Sequence, residues 1–172
     1  MKRIWTALAI SALLLACSPQ TQAGSGTAKS QDAPTQAASV ERHPISGLRL
    51  VDVTISGLTG KHVFRSEVAS TFEAQQRGMM FRTEMADDEG MIFPSDPPSA
   101  RSFWMKNTPI PLDIIFVGTD GRISNIAANT PPYSLDSVAS VGLTSAVFEI
   151  RGGLAEELGI QAGDEVSYVL PE

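Results

Sequence analysis

Residues 48–69 read LRLVDVTISGLTGKHVFRSEVA, and this stretch decides the fold. Leu48, Leu50, Val53 and Ile55 are apolar, and the β-branched content throughout is strand chemistry. Gly57 to Gly60 reads as a turn. His62 to Ala69 reads as a second strand, with Phe64 and Val68 on one face. Two strands joined by so short a glycine-bearing loop predict a hairpin.

Downstream, Ser70-x-x-Glu73 has the form of a capping box, in which the serine oxygen accepts from the Glu73 amide and the glutamate reaches back. It predicts a helix of about two turns that stops at Gly78, with Phe72, Met79 and Met80 toward the core. Asp87 to Gly90 reads as a turn. Met91-Ile92-Phe93 reads as a short strand stopped by Pro94, and Ser95 to Ala100 as a loop. Leu112 to Val117 is an apolar strand, and Asp120-Gly121 turns it into Arg122 to Ala128. Ile123 and Ile126 break strict alternation there, which points to a bulge. Asn129 to Gly142 is the longest expected loop. Leu143 to Ile150 is a strand that carries Glu149, and Gly152-Gly153 breaks it. Leu154 to Leu158 makes a helical turn or two, and Gly163-Asp164 leads into a last strand, Val166 to Leu170. About seven or eight short strands without βαβ alternation give a mainly β class, α+β with little helix. The expected architecture is an antiparallel sandwich or barrel-like domain with one or two short helices.

Upstream, the reading changes from fold to address. Met1 to Ala16 carries Lys2 and Arg3 and then the apolar run Ile4 to Leu15, the layout of a secretory signal. Leu14-Leu15-Ala16-Cys17 resembles a bacterial lipobox, which implies that Cys17 is lipidated and anchors the chain without a transmembrane helix. Ser18 after the cysteine implies the outer membrane, so the expected location is the periplasmic face of the bacterial envelope. Ser18 to about Pro44 is rich in Gln, Ala, Ser, Thr and Gly and has no apolar periodicity, so it reads as a flexible tether. The expected organisation is a signal peptide over 1–16, lipidated cysteine and tether over 17–47, and one β-rich domain over 48–171.

Charge narrows the partners. The chain of 172 residues has a formal net charge of −6. Without Lys2 and Arg3, 11 basic residues face 19 acidic ones and the charge becomes −8. An acidic chain with no basic cluster argues against nucleic acid. A single cysteine excludes an intrachain disulfide and a four-cysteine metal site.

The candidate site is Arg101 to Asp113, RSFWMKNTPIPLD. Phe103-Trp104 runs into a polar turn, Lys106-Asn107-Thr108, and Pro109 and Pro111 stiffen the exit. A cation, an amide, a hydroxyl and a carboxylate thus lie close to an indole. The expected ligand-binding set is Arg77, Arg82, Trp104, Lys106, Asn107, Thr108 and Asp113, with Asp113 facing back toward the turn and toward Arg77 or Arg82. The plainer reading is that arginines of the helix segment clamp Asp113 or Glu149 and hold the helix on the sheet. Glu67, Asp113 and Glu149 are acids embedded in strands, and each needs a partner if buried.

No Gly-x-Ser-x-Gly, phosphate-binding glycine loop or His-x-x-x-His pair occurs, and His62 is the sole histidine inside the domain. A serine or cysteine nucleophile with its own histidine base is therefore not expected. Met79, Met80, Met85, Met91 and Met105 could bind Cu(I) through thioethers, but methionine is more commonly core filler, and neither a metal nor a cofactor is expected. The expected function is binding of a small polar, anionic or sugar ligand near the Trp104–Asp113 turn. The alternatives are a carboxylate-dependent hydrolase of an envelope glycan and an accessory or scaffold domain that contacts an envelope protein.

Glu67-Val68-Ala69, Arg77-Gly78-Met79-Met80-Phe81-Arg82, Gly90-Met91-Ile92-Phe93, Phe103 to Thr108, Pro111-Leu112-Asp113 and Gly163-Asp164 together resemble the family catalogued as domain of unknown function 192. The resemblance spans roughly Val53 to Leu170 and implies a compact, mainly β fold with no established activity. The family pattern has Leu where this chain has Met79, a volume-conserving change.

Overall fold

The computed structural model of the protein describes residues 41–170. The expected signal segment, Cys17 and the expected tether up to residue 40 lie outside the described residues.

The hairpin forms as its sequence predicts. Strand β1 (Leu50–Gly57) pairs antiparallel with β2 (Gly60–Val68), from Leu50 opposite Glu67 to Gly57 opposite Gly60. Helix α1 (Phe72–Arg77) follows, then β3 (Glu89–Ser99), β4 (Ser102–Phe103), β5 (Leu112–Gly118), β6 (Ile123–Thr130), β7 (Val138–Ala139) and β8 (Thr144–Arg151). Helix α2 (Leu154–Leu158) and β9 (Glu165–Tyr168) complete the described residues. The domain is mainly β, in the order β6-β5-β8-β3-β2-β1-β9, with β4 and β7 forming a separate small sheet.

The sheet curls toward closure. Its edge strands β6 and β9 meet at one end: Ile123 N–H donates to Asp164 O (2.9 Å), Gly163 N–H to Ile123 O (2.8 Å) and Val166 N–H to Gly121 O (2.8 Å). Closure removes open edges, and it sorts the side chains into an inside and an outside. One buried cluster draws on all seven strands, including Val53, Phe64, Ile92, Ile115, Ile123, Phe148 and Val166, and Leu154 and Ala155 of α2 join it. A second cluster lies on the opposite face of β3, β5 and β8, where Met91, Phe93, Ile114, Phe116 and Val147 are covered by Ala69, Met79 and Met105. Residues alternate between the two along β8: Ala146, Phe148 and Ile150 enter the first cluster and Val147 the second. Glu149 shares the face of Val147.

Several local expectations need correction. The N-cap of α1 is Thr71, whose hydroxyl accepts from the Ala74 amide (3.1 Å), and not Ser70. Phe72 is 72% exposed and Met80 half-buried, while Met79 is buried. Strand β3 does not stop at Pro94. Past Ile92 it has no ladder partner on the β2 side, so a residue without an N–H is tolerated there. The β2–β3 pair is parallel, with α1 in the crossover, so the sheet is mixed and not wholly antiparallel. The loop expected over Asn129–Gly142 holds the short strand β7. The turn at Gly121 (φ 76°) and register shifts in the β5–β6 pair match the hairpin and bulge expected there.

Candidate functional site

The second cluster is roofed by α1 and by the segment from Arg101 to Thr108. Gln75 docks the helix on the sheet by donating through Nε2 to Pro94 O (2.9 Å). Its other atom, Oε1, accepts from Arg101 Nη2 (3.0 Å), so one glutamine ties the helix to both neighbours. Phe103 is the anchor of the segment: its ring sits edge-on to Phe93 (5.1 Å) and to Phe116 (6.3 Å). Alternation then turns Trp104 outward, where it is 48% exposed.

The polar turn that follows is fixed by backbone bonds to two other segments. Asn107 takes φ 56°, the left-handed region that asparagine tolerates. Phe81 N–H donates to Asn107 O (2.8 Å), Tyr133 N–H to Thr108 O (3.1 Å) and Met105 N–H to Ser134 O (2.9 Å). Lys106 and Asn107 are exposed, whereas Thr108 is buried.

Between helix and turn lies a cavity of about 620 Å³. Arg77 comes to its wall from α1, and Arg101, Trp104, Lys106, Asn107 and Thr108 from the facing segment. Lys106 Nζ stands 5.1 Å from the Trp104 ring centroid, and the Arg77 guanidinium 6.0 Å from that of Phe81. Among the described residues, Arg77, Arg101 and Lys106 have no carboxylate partner in an ion pair. Burial lowers the Arg101 guanidinium from its ordinary value.

Glu149 also lines this cavity. It is buried, and its Oε2 has no hydrogen-bond partner among the described residues. Its cross-strand neighbours are Met91 and Ile114, which offer no polar atom. Burial pushes its carboxyl up to about 8, so at neutral pH it is mainly the uncharged acid. In the sequence Glu149 is marked as a strand acid that needs a partner, and nothing there places it with the turn. The available signal was its parity with Val147 in an otherwise apolar strand.

Two residues grouped with the turn on sequence lie elsewhere. Asp113 does not face the turn or an arginine. It is fully buried and accepts from the backbone amides of Asn129 (2.6 Å), Gly153 (2.9 Å) and Ala155 (2.7 Å). Helix α2 has no side-chain cap of its own, so Asp113 supplies one from a distant strand. Arg82 does not line the cavity either. Its Nη2 donates to both oxygens of the buried Glu67 (2.6 and 2.8 Å), and the Ser46 hydroxyl donates to Glu67 Oε2. The arginine clamp of the plainer reading therefore forms, but on Glu67 and not on Asp113 or Glu149. Met79, Met91 and Met105 pack in the second cluster as filler. Glu149 supplies the one carboxyl among the described residues that line the cavity, so the pair of carboxylates a glycan hydrolase needs is not assembled by them.

Comparison with known proteins agrees with the fold. Residues 54–168 match the family DUF192, described as "Uncharacterized ACR". The chain is similar to a protein of unknown function from Novosphingobium aromaticivorans DSM 12444, at 56% identity over 76% of this chain and 94% of that one, with a TM-score of 0.74. It is also similar to a Sinorhizobium meliloti 1021 protein described as a "putative transcription regulator", at 31% identity over 70% of this chain and 95% of that one, with a TM-score of 0.68. A search of curated proteins returns no match.

Proposed function

The chain belongs to the DUF192 family, and from that premise we propose that it is a binding domain whose cavity takes a small polar, anionic or sugar ligand. The observation that carries this reading is the convergence of Arg77, Arg101 and Lys106 on one cavity without carboxylate partners among the described residues. Cations left unneutralised around a concavity favour an anion, and the amide of Asn107 and the indole of Trp104 add direction and an apolar face. The acidic balance of the whole chain speaks against a nucleic-acid ligand, despite the words used of the Sinorhizobium relative. The leader and Leu14-Leu15-Ala16-Cys17 support export and lipid anchoring, which would present the cavity at the periplasmic face of the outer membrane.

The test is a thermal-shift screen of the protein against envelope sugars, simple anions and metals. A ligand that binds the folded state raises Tm by mass action, and Arg77→Ala combined with Lys106→Ala abolishes the shift. A second reading, contact with an envelope protein, is favoured by four exposed rings around the turn: Phe72, Phe81, Trp104 and Tyr133. It gains if no small molecule shifts Tm.

A further inference from the structure

We propose that the cavity selects a hydroxylated carboxylate of the sugar-acid class, with the ligand carboxylate at Arg77 and Lys106 and a ligand hydroxyl at the Glu149 side chain. The inference rests on the ligand-binding reading above and narrows it to a chemical class.

Two unmet demands define that class. At the wall, Arg77 and Lys106 rest on aromatic rings and meet no carboxylate among the described residues. Arg101 is already engaged, donating to Ser95 Oγ (3.1 Å) and Gln75 Oε1 (3.0 Å). An anion satisfies the two free cations, and a charge-assisted pair with a guanidinium is among the stronger polar contacts. Deeper in, Glu149 Oε2 is buried and unpartnered among the described residues. A buried polar atom left without a hydrogen bond is costly, so a ligand group that reaches it gains that cost back.

The charged groups facing Glu149 across the cavity are Arg77 on α1 and Arg101 and Lys106 on the facing segment, and none of them hydrogen-bonds to it. The flanking strands contribute Met91 and Ile114. With one oxygen buried and unpartnered among the described residues, burial favours the neutral carboxyl, which can both donate and accept. That is the complement of a hydroxyl. A simple anion leaves Glu149 unsatisfied, and a neutral sugar leaves the cations unpaired. An amine suited to the carboxyl is opposed by the cations at the wall. A molecule with both a carboxylate and hydroxyls meets both demands, and the half-exposed Trp104 ring offers its C–H face an apolar surface.

Isothermal titration of the full chain with glucuronate, glucose, acetate and inorganic phosphate tests this. Glucuronate is expected to bind about tenfold or more tighter than glucose or acetate, the worth of roughly one good hydrogen bond. Glu149→Leu is expected to bring glucuronate down to the level of acetate. Glu149→Gln, which keeps a neutral donor and acceptor, is expected to bind glucuronate like the wild type at about pH 6. At about pH 9 the wild type weakens, because ionised Glu149 repels the ligand carboxylate, while Glu149→Gln does not. Glucuronate binding no tighter than acetate, or indifferent to both Glu149 variants, overturns the inference. If phosphate binds through Arg77 and Lys106 while glucuronate does not, the sugar-acid class falls and the ligand-binding reading stands. If no probe binds, both fall.

Discussion

Glu149→Gln isolates the buried acid at the cavity wall. The substitution keeps the shape and polarity of the side chain and removes only its titration. In the wild type the carboxyl sits at 4.5 in the absence of burial and at about 8 in the fold. The folded value is raised, so the folded state holds the proton where the unfolded state has released it. Stability from this group is therefore complete below about 4.5 and is lost as pH rises toward about 8. Within that window one proton separates the states, which gives a slope of about 1.4 kcal/mol per pH unit. Across the whole window the loss is roughly 4–5 kcal/mol. The assay is guanidinium unfolding of both proteins at a series of pH values, read as the difference in ΔG so that all other groups cancel. The difference should grow in favour of Glu149→Gln as pH rises and level off above about pH 8. A difference that stays constant across the series would refute the reasoning, since it would mean that Glu149 is already ionised in the fold.

Other perturbations separate architecture from site. Asp113→Ala removes the acceptor of three backbone amides and should cost about 3 kcal/mol or more in urea unfolding, with no specific effect on ligand affinity. Glu67→Ala leaves Arg82 partly buried without its carboxylate and should cost roughly 3–5 kcal/mol, measured in the same way. Trp104→Ala should lower Tm only slightly, because the ring is half exposed, yet weaken ligand binding in the titration. Cys17→Ser should move the protein from the detergent phase to the aqueous phase on partitioning, and an unchanged membrane fraction would defeat the lipid-anchor proposal.

What could be read from the sequence was what is local. The β1–β2 hairpin needs only alternating residues and a glycine turn, and Asp120-Gly121 carries its geometry in two residues. The β5–β6 bulge announced itself when Ile123 and Ile126 fell out of step. The errors arise where a partner lies far along the chain. Pro94 looks like a strand stop until β3 is known to lose its β2 neighbour past Ile92. Asp113 looks like a site acid until α2, some forty residues on, is seen to lack its own cap. Arg77 and Arg82 are close in sequence and equally plausible, but Arg82 is claimed by Glu67 while Arg77 remains at the cavity. Glu149 was hardest, because its environment is made by β3, β5 and α1 together, and no spacing in the sequence encodes that convergence.

Trp104 offers the most direct test of the cavity itself. The chain has two tryptophans, and the other, Trp5, lies outside the described residues, so in protein prepared without residues 1–16 the emission comes from the cavity wall alone. Titrating that emission with sugars, sugar acids and simple anions measures binding where it is proposed to occur. A saturable change that disappears in the Arg77→Ala, Lys106→Ala variant is the predicted result. Unchanged emission throughout the series, or a change that survives loss of both cations, would contradict the account.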